Sequence, residues 1–164
     1  LNQMSYAEEY ISKALRVAKA DTTGDCLEDS DGGVGYVYLL TRPDTDTGLY
    51  RGIKFINQSD NDACQEFFID NSDTEHLVLK ELKNSVNDED AVALTGTEIT
   101  IQRIAFAING IPATIASGIR GATNEDGVQP RVTMAFIITQ GVGSNTFTQT
   151  VQTTISARNL NVQP

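Results

Sequence analysis

The sequence predicts an α+β fold, in which one N-terminal amphipathic helix packs on an antiparallel β-sheet that ends in a long C-terminal β-hairpin. Three observations lead to this prediction. Apolar residues recur at helical spacing near the start of the chain, two segments near its end alternate between apolar and polar residues, and short strand-like segments lie between them. The apolar sides of the helix and the hairpin both need cover, so we expect them to cover each other.

Residues 3–20 predict the helix, because apolar side chains recur in them at spacings of three and four. The expected buried stripe consists of Met4, Ala7, Ile11, Ala14, Leu15 and Ala18. The helix is expected to end near residues 21–24 (DTTG), where β-branched residues and glycine replace helix formers.

Residues 128–139 and 147–160 predict the arms of the hairpin, with a glycine-rich tip at residues 140–145. Alternation gives each arm one side for the core and one for solvent. The expected core side consists of Val132, Met134, Phe136, Ile138, Phe147, Val151, Ile155 and Ala157. The expected solvent side of the second arm is almost wholly polar and consists of Thr148, Thr150, Gln152, Thr154, Ser156 and Arg158.

Five segments between the helix and the hairpin have strand length and turn-forming borders: 35–40, 49–56, 64–69, 76–82 and 97–108. The last has a break in its alternation, because Ile99 and Ile101 are out of phase with the apolar residues at 104, 106 and 108. A β-bulge near Gln102 and Arg103 would return all of them to the core side. Residues 109–127 are expected to form an irregular excursion, of a length typical of functional or mobile loops.

Length and composition predict one domain spanning residues 1–164, since 164 residues with 40% hydrophobic content can bury one ordinary core. It comprises the helix at 1–20, a region of loops and strands with both cysteines at 21–96, and a C-terminal sheet at 97–160. The formal net charge is −10, from 22 acidic and 12 basic residues. This charge argues against nucleic acid and anionic membrane surfaces as partners, because both would repel the chain.

Cys26 and Cys64 are the only cysteines, and both lie in polar, turn-like surroundings. They form no C-x-x-C pair and the single histidine, His76, lies elsewhere, so they cannot complete a four-ligand zinc site in one chain. A disulfide between them is the preferred interpretation, and two unpaired, partly buried thiols are the alternative. The bridge would stabilise the fold by about 4 kcal/mol and would indicate folding outside a reducing cytosol.

The sequence offers little support for catalysis, and we expect neither enzyme activity nor a catalytic residue. His76 is the only imidazole and is accompanied by no nucleophile, zinc-binding or phosphate-binding motif. Calcium is the one cofactor considered, because hard cations bind the oxygens of acidic, glycine-containing loops. Asp44 and Asp46 form the candidate metal site, although residues 44–48 (DTDTG) lack the further ligands of an EF-hand.

The order of several motifs resembles that of the globular domain of type IV pilin-like proteins, the minor pilins and pseudopilins. In chain order the motifs are residues 14–19 (ALRVAK), a cysteine before residues 52–55 (GIKF), a second cysteine before Phe67, residues 94–101 (LTGTEITI), residues 129–133 (QPRVT) and residues 151–158 (VQTTISAR). The last motif is the most specific, and together they span nearly the whole chain. The resemblance implies a pilin-like fold, with residues 1–20 as the distal half of the N-terminal helix.

The resemblance further implies a non-enzymatic structural subunit of a type IV pilus-like or type II secretion-like filament at the bacterial cell surface. Its partners would be other pilin or pseudopilin subunits. The hydrophobic half of the helix, which anchors such proteins in the membrane before assembly, is expected to be missing from this sequence. An extracellular adhesin-like or calcium-binding recognition module is the alternative, with residues 26–64 or 109–127 engaging the ligand.

The polar side of the last strand suits repeated weak contacts between subunits. Its Thr, Gln and Ser side chains form hydrogen bonds without a heavy desolvation cost. An ordinary solvated strand would have the same composition, so the sequence leaves both interpretations open.

Overall fold

The computed structural model describes residues 2–28, 34–73, 75–96, 99–109, 121–123, 129–142 and 145–157. In these residues the chain forms one α-helix, α1 (Asn2–Arg16), a short 3₁₀ turn (Asp88–Asp90) and one 10-stranded antiparallel sheet. The strands are β1 (Ala18–Lys19), β2 (Tyr36–Pro43), β3 (Tyr50–Asn57), β4 (Ala63–Asp70), β5 (Val78–Lys83), β6 (Val92–Ala93), β7 (Thr100–Asn109), β8 (Gly121–Thr123), β9 (Arg131–Val142) and β10 (Asn145–Ser156).

The predicted α+β class and pilin-like fold are wrong, because the domain is mostly β. In the described part of the chain, strands account for 54% of the residues and helices for 14%. The middle of the chain, expected to hold short strands between acidic loops, contributes β2 to β6 to the same sheet as the C-terminal strands. The α-helix also ends before residue 20, because Ala18 and Lys19 pair with Asn57 and Ile56 of β3.

The sheet has two parts that few residue pairs join. β3 pairs with β2 along one edge and with β4 along the other, and β5 and β6 follow β4 outward. β7, β9 and β10 form the second part, which we call the C-terminal sheet. β7 meets β3 through one residue pair, Tyr50 with Phe106, and Leu77 adds an isolated bridge to Ile101. As a result, β10 and β6 lie at opposite ends of the strand order.

The predicted β-bulge is present in β7. Its register against β9 shifts between Ile101 and Arg103, which leaves one extra residue, Gln102, between two pairs. The shift brings the two phases of the alternation to one side of the sheet. On that side Ile99, Ile101, Ile104 and Phe106 are buried and Ile108 is half-buried.

α1 and the C-terminal sheet share the main core. The six positions of the predicted helical stripe are all buried, in one cluster with the inner side chains of the predicted hairpin. This cluster includes Met4, Ala7, Ile11, Ala14, Leu15, Ala18, Val132, Met134, Phe136, Ile138, Ile155 and Ala157. Phe147 is the exception, since it was expected on the core side and its side chain is 52% exposed.

A smaller core lies beside the disulfide. The predicted bridge between Cys26 and Cys64 is present, with the two Cα atoms 5.6 Å apart. The bridged residues pack with the buried side chains of Leu27, Tyr36, Leu39 and Ile56. Because Tyr38 of β2 belongs to the main core and Leu39 to the smaller one, this strand is buried on both faces.

The excursion predicted at residues 109–127 contains a strand, which corrects part of that prediction. Gly121 and the two residues after it form β8, which pairs with β2. A Cβ atom at Gly121 would lie 2.0 Å from the Tyr36 ring, so the close approach of the two strands requires glycine. Residues 110–120 and 124–127 lie outside the described residues. Within the described part, no helix has the length and apolar character to cross a membrane.

Candidate functional site

Among the described residues, one side of the C-terminal sheet contributes no side chain to either core, and we call this side the outer face. Alternation along β10 turns its even-numbered residues outward, and these residues are exposed. Their neighbours on β9 and β7 complete the surface through the observed register. The outer face consists of Thr148, Thr150, Gln152, Thr154 and Ser156 of β10, Arg131, Thr133, Ala135, Ile137 and Thr139 of β9, and Thr100, Arg103, Ala105, Ala107 and Asn109 of β7.

The outer face carries no negative charge. β7, β9 and β10 contain no Asp or Glu, although the chain has 22 acidic residues. Their only charged residues are Arg103 and Arg131, which are both exposed. Within the described residues neither arginine forms an ion pair. The outer face is therefore weakly positive on a strongly acidic molecule.

Side-chain hydrogen bonds connect the strands across the outer face. The hydroxyl oxygens of Thr133 and Thr154 lie 3.0 Å apart, and those of Thr139 and Thr148 lie 3.2 Å apart. Asn109 Nδ2 donates to Thr133 Oγ1 at 3.0 Å. These bonds hold short side chains against the sheet, so the surface is ordered and offers few long side chains to immobilise on binding.

The inner side of β10 is fixed to α1, which positions the outer face. Ile155 is buried, Val151 is half-buried against the same core, and the hydroxyl of Thr153 donates to Glu8 of the helix. β10 is the strand at one end of the sheet. It has no charged residue or proline of the kind that usually protects an edge strand. A protein surface can therefore approach this region without removing charges from water.

A second polar cluster, on β3 to β5, is structural. Buried Glu81 accepts hydrogen bonds from Tyr10 at 2.7 Å and from Gln65, which itself accepts one from Asn57 at 2.8 Å. Burial and the hydrogen bond to Glu81 raise the pKa of Tyr10. Lys83 Nζ lies 3.5 Å from Glu81 Oε1. Each member has a partner within the protein, so the cluster ties α1 to the sheet.

The candidate metal residues Asp44 and Asp46 lie in the exposed loop between β2 and β3. Asp44 Oδ1 accepts hydrogen bonds from the backbone N–H groups of Asp46 at 3.0 Å and Thr47 at 3.4 Å. The first of these is the main cause of a lowered pKa for Asp44. Over the described ranges, no three His, Cys, Asp or Glu residues are arranged to hold a metal ion. The carboxylate of Asp44 therefore serves the turn, and calcium binding stays a prediction.

Two sequence candidates remain, His76 and Arg158. His76 is exposed, and its Nδ1 atom is 3.2 Å from Asp73 Oδ2 in the turn before β5. Arg158, expected on the solvent side of the second arm, lies outside the described residues. The polar side of β10 was predicted, whereas the lack of acidic residues on all three strands was not. Its signal lies in the charge distribution, since only Glu125 and Asp126 of the acidic residues follow residue 98.

Comparisons of the chain with protein-family models, with curated proteins and with solved structures find no match.

Proposed function

We propose that this chain is a non-enzymatic structural subunit of a filament at the bacterial cell surface, of the type IV pilus-like or type II secretion-like kind. The outer face carries the proposal, because a surface of mostly short, hydrogen-bonded side chains without acidic residues suits repeated contacts with other subunits. The order of the sequence motifs, which resembles that of minor pilins and pseudopilins, supports a subunit of the same kind of filament, built on a mostly β fold instead of a pilin-like one. Its partners are other subunits of the same filament.

The disulfide supports the location. Bridges between cysteines persist outside the reducing cytosol, and this one closes the smaller core beside β2 and β3. A subunit that is exported and then exposed on a filament keeps such a bridge throughout its working life. The subunit acts by assembly, so its polar surface serves contact instead of a chemical step.

Fractionation of the cell of origin tests this proposal. The full-length gene is expressed with a small epitope tag, surface filaments are sheared off, and the filament and soluble fractions are probed for the tag. We expect the chain in the filament fraction, with Cys26 and Cys64 protected from thiol reagents before reduction. Gold-labelled antibody against the tag should decorate the filaments in electron micrographs.

Two outcomes would overturn the proposal. Recovery of the chain only as a free, secreted protein would favour the adhesin-like recognition module. Recovery in the cytosol with reactive thiols would contradict the location as well. A tagged protein known to be secreted by the same cell but absent from its filaments serves as the control for trapping during shearing.

A further inference from the structure

We propose that copies of this chain associate head to tail, with the outer face of one copy binding residues 84–92 of the next. We call residues 84–92 the acidic loop, since they contain Asp88, Glu89 and Asp90. This inference rests on the proposed function, because it names the contact through which the subunits would meet. The molecule that binds the outer face is a second copy of the chain.

The acidic loop presents apolar side chains to solvent. Val86 is 92% exposed and Val92 is 63% exposed. Apart from Val86, only Tyr6, at 66%, is more exposed than Val92 among the large apolar residues that the structure describes. Between them the side chain of Glu89 has no cationic partner within the described residues. The loop thus offers an apolar tip beside a free negative charge.

The acidic loop is held in one conformation by its own contacts. Both terminal nitrogens of the Arg42 guanidinium donate to Asp88 at 2.6 Å, which fixes the loop to β2. Ser85 Oγ donates to Asp90 Oδ2 at 2.6 Å, and the backbone N–H of Glu89 donates to Asn87 Oδ1 at 3.3 Å. A loop that is already ordered loses little conformational entropy on binding, which favours the acidic loop as the part that binds the outer face.

Charge selects a second copy as the partner. Each copy has a formal net charge of −10, so most orientations of two copies are repulsive. The outer face is acid-free and has Arg103 in one row with Ile137 and Thr150 of the neighbouring strands. The acidic loop of another copy therefore meets attraction on the outer face, with Val86 against the short side chains of the sheet.

The positions of the two surfaces give the contact its direction. The acidic loop precedes β6, and the outer face includes β10, and these strands lie at opposite ends of the sheet order. Two different surfaces at opposite ends form a heterologous contact, which repeats from copy to copy into an open chain. A filament needs a contact of this kind.

Sedimentation velocity of the purified chain tests the inference with two matched pairs of variants. Thr150→Asp places a negative charge on the outer face, and Thr150→Lys places a positive charge at the same exposed position. Glu89→Lys reverses the charge of the loop, and Glu89→Gln removes it. We expect the unmodified chain to grow beyond dimers as its concentration approaches about 1 mM. Thr150→Asp and Glu89→Lys should each weaken association about tenfold or more, whereas Thr150→Lys should retain it.

Mixing the two defective variants identifies a head-to-tail contact. In the mixture, the outer face of the Glu89→Lys chain meets the intact loop of the Thr150→Asp chain. At the opposite contact, the carboxylate introduced on the outer face meets the ammonium introduced in the loop, so both contacts are attractive. We expect the mixture to regain growth beyond dimers. A contact between two identical surfaces would leave one of the variants unaffected and would give no such recovery.

Three results would overturn the inference: association unaffected by Glu89→Lys, no recovery of growth on mixing, or an unmodified chain that stays monomeric at every concentration. Unchanged melting temperatures show that the variants fold. If the Thr150→Asp chain does not fold, Thr154→Asp repeats the test at a second outward position. The proposed function is judged separately, because a chain found in filaments but monomeric alone would still be a subunit with other partners. A chain that associates head to tail but never enters filaments would contradict the function and support the contact.

Discussion

Asp21 is a buried carboxylate that organises the loop leading to Cys26. Only 1% of its surface is exposed. Its Oδ1 atom accepts from the backbone N–H groups of Thr23 at 3.1 Å and Gly24 at 2.8 Å. Its Oδ2 atom accepts from those of Cys26 at 2.8 Å and Leu27 at 2.7 Å. One side chain thereby satisfies four backbone donors that the turns of the loop leave without backbone partners.

Replacing Asp21 by Asn should destabilise the fold, because the amide NH₂ group would face backbone donors that need an acceptor. The variant loses hydrogen bonds to a charged group and leaves buried donors unsatisfied, so its free energy of unfolding should fall by about 2–3 kcal/mol. Urea denaturation measures this free energy. Asp25→Asn is the matched control, since Asp25 is exposed in the same loop and should change stability little. Equal losses for the two variants would contradict this role of Asp21.

Stability should fall in acid, in part through Asp21. Burial acts to raise the pKa of Asp21, but the backbone hydrogen bonds outweigh it and leave the pKa below its ordinary value. Asp70 acts in the same direction, since the hydrogen-bonded Lys80 lowers its pKa to about 2. These contributions are present above the ordinary Asp pKa of about 3.9 and are lost as the pH falls through the lower folded values.

A series of denaturation curves from about pH 6 down to about pH 2 checks this expectation. The free energy of unfolding of the unmodified chain should decrease over the lower half of that interval. The decrease should be smaller for Asp21→Asn, because the amide cannot take up a proton there. Parallel curves for the two proteins would show that Asp21 does not contribute to the acid sensitivity.

Gly52 leaves room for a polar contact across β3. A Cβ atom at this position would lie 2.2 Å from Thr41 Oγ1 and 3.2 Å from Glu66 Oε1. Thr41 Oγ1 donates to Glu66 Oε1 at 2.6 Å, and Arg42 Nε donates to the same oxygen at 3.0 Å. The missing side chain thus allows Glu66 to reach β2, where it holds the arginine that also fixes Asp88 of the acidic loop.

Gly52→Ala should lower the free energy of unfolding by about 1–3 kcal/mol, as is usual for an added methyl group in a filled space. Chemical denaturation gives the value. Gly96→Ala is the control, because its nearest neighbour would be the end of the Gln3 side chain at 3.5 Å. That variant should be neutral. A neutral Gly52→Ala would mean that Thr41 and Glu66 rearrange at no cost.

At the level of single elements, the bulge in β7 absorbs one residue. Gln102 is exposed and lies between the pairs of Ile101 with Ile138 and Arg103 with Ile137. Deleting it would leave a regular strand with the same residues inward. Deleting Ala105 would instead turn the two apolar residues that follow it to the outer face, because a slip of one residue inverts every side chain.

The two deletions therefore form a matched test of the bulge. We expect the chain without Gln102 to fold and to unfold in one cooperative transition. The chain without Ala105 should lose roughly 3–5 kcal/mol, since two large side chains, Phe106 and Ile108, would leave the core side. Thermal unfolding followed by circular dichroism compares them. Equal stability of the two deletion variants would contradict the observed register.

The strand alternation is what made the elements predictable. In β9 a period of two places Val132, Met134, Phe136 and Ile138 inward, and all four are buried. The end of the helix was not predictable in this way. Ala18 continues the helical spacing and is buried, yet it is buried as part of β1. An alanine fits a helical stripe or a strand equally well, and the pairing with β3 decides between them.

At the scale of the whole molecule, the fold class depends on the pairing of distant segments. No local sequence pattern predicts which of these segments pair. β8 pairs with β2 although five other strands lie between these two strands in the sequence. β8 has three residues and β6 has two, which is too short for any periodicity. The outer face likewise emerges only when β7, β9 and β10 lie side by side. Its polar edge was predictable from β10 alone, whereas its extent across three strands required the order of the strands.

The disulfide cross-links the loop after β1 to β4. It spans a sequence separation of 38 residues, beside a small core of four further apolar residues, Leu27, Tyr36, Leu39 and Ile56. The segment that it closes includes β2 and β3, which strand pairing and the main core also hold in place. The bridge is therefore expected to stabilise this side of the sheet chiefly by restricting the unfolded chain.

Replacing both cysteines by serine should lower the free energy of unfolding by about 4 kcal/mol, since the open loop gains conformational entropy in the unfolded chain. Urea denaturation of the double variant and of the unmodified chain with and without reductant measures the effect. Reduction should reproduce the loss in the unmodified chain and leave the double variant unchanged, because the variant has no bridge to break. A double variant within about 1 kcal/mol of the oxidised chain would show that the smaller core holds without the bridge. The location outside the cytosol would then lose its physical basis, since the fold would be equally stable in a reducing compartment.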